Sequence, residues 1–474
     1  MSLPPPTNDT GFPSIGTMIE GNDKRPSKAH IYDVGGRILY NPNASNNLYL
    51  DISYAQQFYD NASQQIANHD IVASQYVVRR NNYILAHKGE YESFSMDNSI
   101  QFNQSWNDGM MKDSQTSRDL QGKDIVLESK SFVLLPADNL LTIGGSYWFA
   151  HMQDKVASPS KFSYHTLSLF AEDEWAALDN IIFTLGVRED WNSRFGFHTS
   201  PKAYVVYEAI PEWLTLKGGV SMGYKAPAMN MLIEGLYGST RRGQAGLVGN
   251  PNLKPESSLS AELSIISDND YFDLGATYFY NLFIDKISEV AINPANNANC
   301  TSFNSCYQAI NIDKSYTQGL ELFIGMKPLY GFGIDATYTF IDSQQLSGSM
   351  KGYPIANIAN HIASFRLSYA YKDLGIYLRG EYQGKRFRND SADRRAILGD
   401  YYKPYFLLHL GTNYKINKQL RLNFAIRNLL NQSFIDYRQY AWQSNNNDAS
   451  ASVDNTYNYI QEGRNYWVSV NMDF

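Results

Sequence analysis

The sequence predicts an all-β protein, a large antiparallel transmembrane β-barrel, and three observations lead there. Apolar residues recur at every second position in segments of about ten residues, the length that crosses a bilayer when tilted. The 3.6-residue periodicity of amphipathic helices is missing along the chain. Short turns alternate with long loops, which separates a barrel from a soluble sandwich, where nothing requires strict alternation of connection lengths.

Period-2 segments start near residues 31, 48, 78, 95, 122, 139, 162, 181, 197, 213, 256, 271, 315, 331, 360, 374, 403, 419 and 463. Leu214, Leu216, Val220 and Met222 face away from Thr215, Lys217 and Ser221. Leu274, Ala276, Tyr278, Tyr280, Leu282 and Ile284 form one face against Asp273, Thr277, Asn281 and Asp285. Leu420, Leu422, Phe424 and Ile426 alternate with Arg421, Asn423 and Arg427. At the end of the chain Tyr466, Val468, Val470, Met472 and Phe474 alternate with Asn465, Ser469, Asn471 and Asp473. The oily faces are assigned to lipid and the polar ones to the lumen.

Tight turns fall at Ser267–Asp270, Pro328–Tyr330, Tyr371–Asp373 and Lys415–Lys418. Between them lie long loops, Lys225–Pro255, Ile287–Lys314, Gln344–Ala359, Phe387–Tyr402 and Leu429–Glu462. Short turns belong on the periplasmic rim and long loops outside the cell. Tyr224, Tyr338, Phe340 and Tyr466 then sit near the outer ends of their apolar faces, where an aromatic girdle forms. The first strand, Ile31–Tyr40, runs in the same direction as the last, so the count is odd. An all-antiparallel barrel closes only with an even number, so either the seam is parallel or strands are missing on the N-terminal side.

Composition excludes other classes. Of 474 residues 43% are apolar and only 18% charged, which excludes disorder. A net charge of −7 without a basic block gives nucleic acid no footing. No apolar run reaches about 18 residues, which excludes spanning helices and leaves a barrel open. Residues 1–30 show no basic and apolar secretory leader and are expected to be a poorly ordered remnant of an outer loop, with the barrel over 31–474. Cys300 and Cys306 lie in an Asn/Ser-rich outer loop, too far apart for a CxxC pair; they read as a small disulfide loop or as two free thiols. No HExxH, GxSxG or Walker loop is present, and the eight His lack metal-ligand spacing, so neither an enzyme nor an intrinsic metal or cofactor is expected.

Two motifs flank the largest mid-chain loop. Gly223 to Pro227 reads GYKAP, and Gly249 to Glu256 reads GNPNLKPE at the start of the next strand. With QGLEL at Gln318 to Leu322, RNLLNQSF at Arg427 to Phe434 and the terminal Phe474, the chain resembles the TonB-dependent outer-membrane receptors, nearest to the siderophore and colicin receptors. The resemblance implies a twenty-two-stranded barrel around an N-terminal plug preceded by a TonB box. About nineteen strands are found and no plug-like region, so signal, TonB box, plug and early strands are expected to be absent and the chain a truncated form. It also implies uptake of a ferric siderophore as transported ligand. Partners would be the TonB–ExbB–ExbD complex, reached through a plug, then lipid and lipopolysaccharide, with colicin or phage as opportunists.

Candidate ligand-binding residues are Tyr237, Arg241 and Arg242 in the first long loop, then Arg386, Arg388, Arg394 and Arg395, and Arg438 in the last. Clustered Arg interleaved with Tyr suits an anionic aromatic chelate such as a ferric catecholate. Lipopolysaccharide phosphates or solvent are the alternative contacts. A haem or other metal-chelate receptor and a passive outer-membrane channel remain the competing functions.

Overall fold

A computed structural model of the protein describes residues 27–64, 71–111, 118–155, 157–240, 245–348, 350–388, 392–443 and 449–472. Nineteen strands run up and down through one antiparallel sheet. They are β1 (Ser27–Asn43), β2 (Asn46–Gln64), β3 (Ile71–Glu90), β4 (Phe94–Met111), β5 (Arg118–Leu135), β6 (Asn139–Asp154) and β7 (Lys161–Leu178). Next come β8 (Ile181–Asn192), β9 (Gly196–Ile210), β10 (Leu214–Lys225), β11 (Glu256–Asp268), β12 (Phe272–Ile292) and β13 (Ser305–Leu329). The last six are β14 (Phe332–Gln345), β15 (His361–Tyr371), β16 (Leu374–Gln383), β17 (Tyr405–Lys415), β18 (Leu420–Arg427) and β19 (Asn465–Met472). Each pairs with its sequence neighbour, as in β10 with β11 and β18 with β19.

Most strand starts lie within a few residues of the expected ones. The exceptions are β3, from Ile71, and β13, from Ser305. After irregular register at Phe283 and Lys286, β12 and β13 stay paired up to Ile292 opposite Cys306. The loop expected over Ile287–Lys314 therefore shrinks to residues 293–304. Above the bilayer neither face meets lipid, so alternation lapses while pairing continues.

Register keeps the faces separate. Leu263 lies opposite Tyr278 and Leu259 opposite Leu282 on the lipid side, while Glu262 meets Phe279 and Ser264 meets Thr277 on the lumen side. The lipid-side chains stand open, Leu263 at 60% exposure, because hydrocarbon is their partner. Buried apolar clusters gather in the outer loops, one of them formed by Ala157, Phe162, Ile233 and Tyr237. Periplasmic turns need left-handed backbone, supplied at Tyr330 (φ 52°), Gly331 (φ 87°) and Lys372 (φ 51°).

Among the described residues no pairing joins β1 to β19. The two run in the same direction because nineteen is odd, as parity predicts. β1 is exposed on both faces, Val34 on one and Leu39 on the other. A bare strand edge in hydrocarbon costs several kcal/mol for each unsatisfied backbone group, so both edges need partner strands in a bilayer.

Candidate functional site

Two welded assemblies shape the outer mouth. The first joins the loop after β10 to the hairpin of β12 and β13. A short strand at Ala245–Val248 lies parallel to Ser305–Gln308 of β13. Cys300 and Cys306 are disulfide-bonded with their Cα atoms 5.9 Å apart, and both pack on buried Val248. The Gly249 motif follows directly. A Cβ at Gly249 would lie 2.3 Å from the Ile233 carbonyl oxygen and 2.8 Å from that of Met231, so only glycine permits this approach. Asn250 Nδ2 donates to the Ala309 carbonyl at 3.2 Å, and Asn250 Oδ1 accepts from the Asn252 amide at 3.0 Å. Asn311 accepts from the Lys254 amide and donates back to its carbonyl, both at 2.9 Å. The motif residues thus bind their loop down onto β13.

Tyr237 belongs to this assembly. Its ring is buried, and its hydroxyl donates to Glu289 Oε1 at 2.5 Å. Burial pushes the phenol well above its ordinary range, and the bond to Glu289 pushes the same way. Tyr237 holds loop to hairpin and remains a neutral donor.

The second assembly joins three loops, those after β14, β16 and β18. Arg386–Phe387 pairs with Tyr401–Tyr402, and a seven-residue helix, α1 (Ala392–Leu398), lies between. The Arg388 guanidinium sits 4.0 Å over the Tyr402 ring and donates through Nη2 to the Thr456 carbonyl at 3.2 Å. Arg395 lies 4.8 Å from the Tyr353 ring and 5.2 Å from that of Phe387, with Nε 3.2 Å from Asp400. Arg386 lies 5.9 Å from the Tyr402 ring and 5.8 Å from that of Tyr459. Lys403 and the Thr456 hydroxyl both donate to Asp436, and they hold its carboxyl below the usual range, Lys403 most strongly.

The arginines singled out from sequence divide by these contacts. Arg386, Arg388 and Arg395 come together but are buried, Arg388 to 1% exposure, because a guanidinium that stacks on tyrosine sheds water cheaply. Arg438 is exposed in the last loop. Arg241 and Arg242 lie outside the described residues, and Arg394 lies in α1 with its side chain outside them. Exposed aromatic faces at this mouth include Tyr353 and Tyr459, the latter 66% exposed, which sequence reasoning passed over, and Lys385 lies 4.5 Å over the Tyr401 ring. The run Lys385-Arg386-Phe387-Arg388 carries the one local signal, cations interleaved with an aromatic.

A wide arc of membrane strands, short turns below and a built outer mouth above define an outer-membrane β-barrel of the receptor type. The family model described as "TonB dependent receptor-like, beta-barrel" matches residues 4–429, and the chain belongs to that family. It is an outer-membrane barrel protein, and the family is one of non-enzymatic transporters. The chain is 28% identical to the iron-regulated outer membrane virulence protein of Vibrio cholerae over 409 residues, covering 84% of this chain and 57% of that relative. It is 24% identical to the ferrienterobactin receptor of Escherichia coli, covering 93% of this chain and 66% of that one. Among solved structures, a ferric enterobactin receptor (PfeA) mutant from Pseudomonas aeruginosa superposes with a TM-score of 0.74 at 19% identity, over 94% of this chain and 70% of that one. The chain thus spans just over half the length of the Vibrio relative. Residues 1–26 of the expected N-terminal segment lie outside the described residues; β1 begins at Ser27.

Proposed function

We propose that this chain forms the wall and outer mouth of a receptor that takes up a ferric siderophore of the anionic catecholate kind. The observation that carries this reading is the meeting of three outer loops in one nest of arginines and tyrosines. Buried guanidiniums fix the loops and bias the local potential positive, while the exposed Tyr353 and Tyr459 rings and Lys385 offer stacking faces and charge. A ferric tris-catecholate is a flat-faced polyanion and matches both. Relatives named as enterobactin receptors support the same ligand class. Transport would draw on TonB–ExbB–ExbD through a plug in the lumen, as the family implies.

The test is a titration of the folded protein in detergent, read by quenching of tryptophan fluorescence. Ferric enterobactin should quench saturably, and Tyr459→Ala with Lys385→Ala should weaken it about tenfold or more. Saturable quenching by haem, cobalamin or a ferric hydroxamate but not by the catecholate would refute the reading.

A further inference from the structure

We propose that the lipid face of β3 to β7 holds one phospholipid of the periplasmic leaflet, its ester region against a ladder of polar side chains and an acyl chain in the apolar groove beside them. Strand register puts Leu48, His87, Asn98, Ser129 and Gly145 in one row across β2 to β6. The next row up on the same face is Leu50, Leu85, Ile100, Leu127 and Tyr147, with Leu85 50% and Ile100 53% exposed, so the polar row faces lipid too. Its members are hydrogen-bonded in series. Ser129 Oγ donates to Asn98 Oδ1 at 2.7 Å, Asn98 Nδ2 to His87 Nδ1 at 3.2 Å, and His87 Nε2 to Asn46 Oδ1 at 2.8 Å. The Tyr91 hydroxyl, in the periplasmic turn, also donates to Asn46 Oδ1, at 2.9 Å.

The ladder climbs into the bilayer. His87 stands three residues above Glu90, the periplasmic end of β3, and Ser129 six above Leu135, that of β5. At about 3.3 Å per residue and a tilt of about 40°, these are heights of about 8 and 15 Å in an apolar band about 25 Å tall. On β11 and β12 the lipid face over the same heights is Ile265, Leu263, Ala276 and Tyr278. Polar groups facing hydrocarbon are costly unless partnered, and an ionisable side chain among them marks a site. Here the second hydrogen of Asn98 Nδ2 has no partner among the described residues. Asn98 lines a groove of about 910 Å³ walled by Leu85, Ile100, Leu127, Ile143, Tyr147 and Leu169. Gly145 forms its floor. A Cβ there would lie 2.9 Å from the Ser168 carbonyl oxygen and 3.0 Å from Leu169 Cδ2, so no side chain fills the space from below.

The shape and chemistry call for an amphiphile with an acceptor at one end and a hydrocarbon chain beyond it. The ladder opens at the periplasmic rim, where a diacyl phospholipid offers ester carbonyls to the free Asn98 hydrogen. Its ester region is drawn up the wall, the local thinning that polar wall residues impose on a bilayer. One acyl chain then follows the row over Gly145 toward Leu169. A second copy of this chain fits less well, because a two-fold axis on this face would set groove against groove and leave both unfilled.

The probe is dioleoylphosphatidylethanolamine added to delipidated, folded protein in detergent micelles, and the readout is the bound fraction in native mass spectrometry. Wild type should take up one molecule saturably, ahead of weaker adducts. Asn98→Leu, which removes the free donor, and Ile143→Trp, which fills the groove, should each weaken that uptake about tenfold. Ile265→Trp, a like enlargement on the lipid face of β11, should leave it unchanged. Heat-modifiable migration on gels establishes that each variant is folded. A ladder that served barrel stability alone would let Asn98→Leu shift the urea midpoint without changing lipid uptake, and that result would overturn the proposal. So would the lack of a saturable first site, equal weakening by Ile265→Trp, preferential capture of lipid A, or a lipid-free dimer that Ile143→Trp dissociates.

Discussion

Leu263→Arg puts the lipid assignment to its most direct test. Leu263 lies on β11, a strand with neighbours on both sides, and its side chain is 60% exposed on the lipid face. It stands five residues above Asp268, the periplasmic end of the strand. At about 3.3 Å per residue and a tilt of about 40°, that is a height of about 13 Å. The apolar band is about 25 Å tall, so the position is at the midplane, where an arginine facing lipid costs about 2–4 kcal/mol. Ser260→Arg is the comparison. Ser260 faces the lumen and lines a depression of about 480 Å³ with Lys202, Tyr204, Glu262 and Glu321, room enough for the longer side chain beside two carboxylates. Its cost should stay within about 0.5 kcal/mol. Urea unfolding in lipid vesicles, followed by tryptophan fluorescence, measures both. Equal costs would mean that the faces are wrongly assigned, and a larger cost for Ser260→Arg would reverse them. The terminal strand β19 is less suitable for this test, since among the described residues it pairs with β18 alone.

Three further outcomes follow from the outer loops. Gly249→Ala should lose the bonds from the Gly249 amide to Gly235 and from the Asn250 amide to Met231, about 1–3 kcal/mol of local stability, seen as faster proteolysis of residues 226–255 with the barrel intact. Arg388→Ala should loosen the loops after β16 and β18 together in hydrogen exchange, and Arg388→Lys should not restore them, because an ammonium cannot reproduce the stack on Tyr402 while bonding the Thr456 carbonyl. The depressed pKa of Asp436 makes its contribution present above the ordinary carboxylate value and lost as pH falls through the lower folded value. Exchange protection around Thr456 should therefore hold from neutral pH down to about pH 4 and drop only below it, and Asp436→Asn should flatten that dependence.

Sequence periodicity reached the strands because a membrane strand has two different solvents on its two faces. Each of the nineteen was visible, and the odd count already implied that first and last strands run the same way. The method failed where that contrast ends. Above Phe283 the hairpin of β12 and β13 keeps its pairing with no oily face, so sixteen residues of strand, 287–292 and 305–314, were read as loop. Candidate arginines were found by clustering, but clustering does not distinguish Arg388, stacked beneath Tyr402, from Arg438, open to water. Tyr459 and Tyr353 carried no signal, since a tyrosine among 35 is unremarked until loops distant in sequence converge on it.

By itself, then, the chain's pattern of side chains determined which class of wall it builds, which side of each strand meets hydrocarbon and which rim carries the long loops, all consequences of local alternation and turn length. Tertiary structure alone decided how those loops are fastened to one another and which residues face the lumen together. Lys202, Ser221, Ser260 and Asn281 sit on four strands with nothing local to connect them; only strand register aligns them, because hydrogen bonding across a sheet matches residues by height and not by distance along the chain.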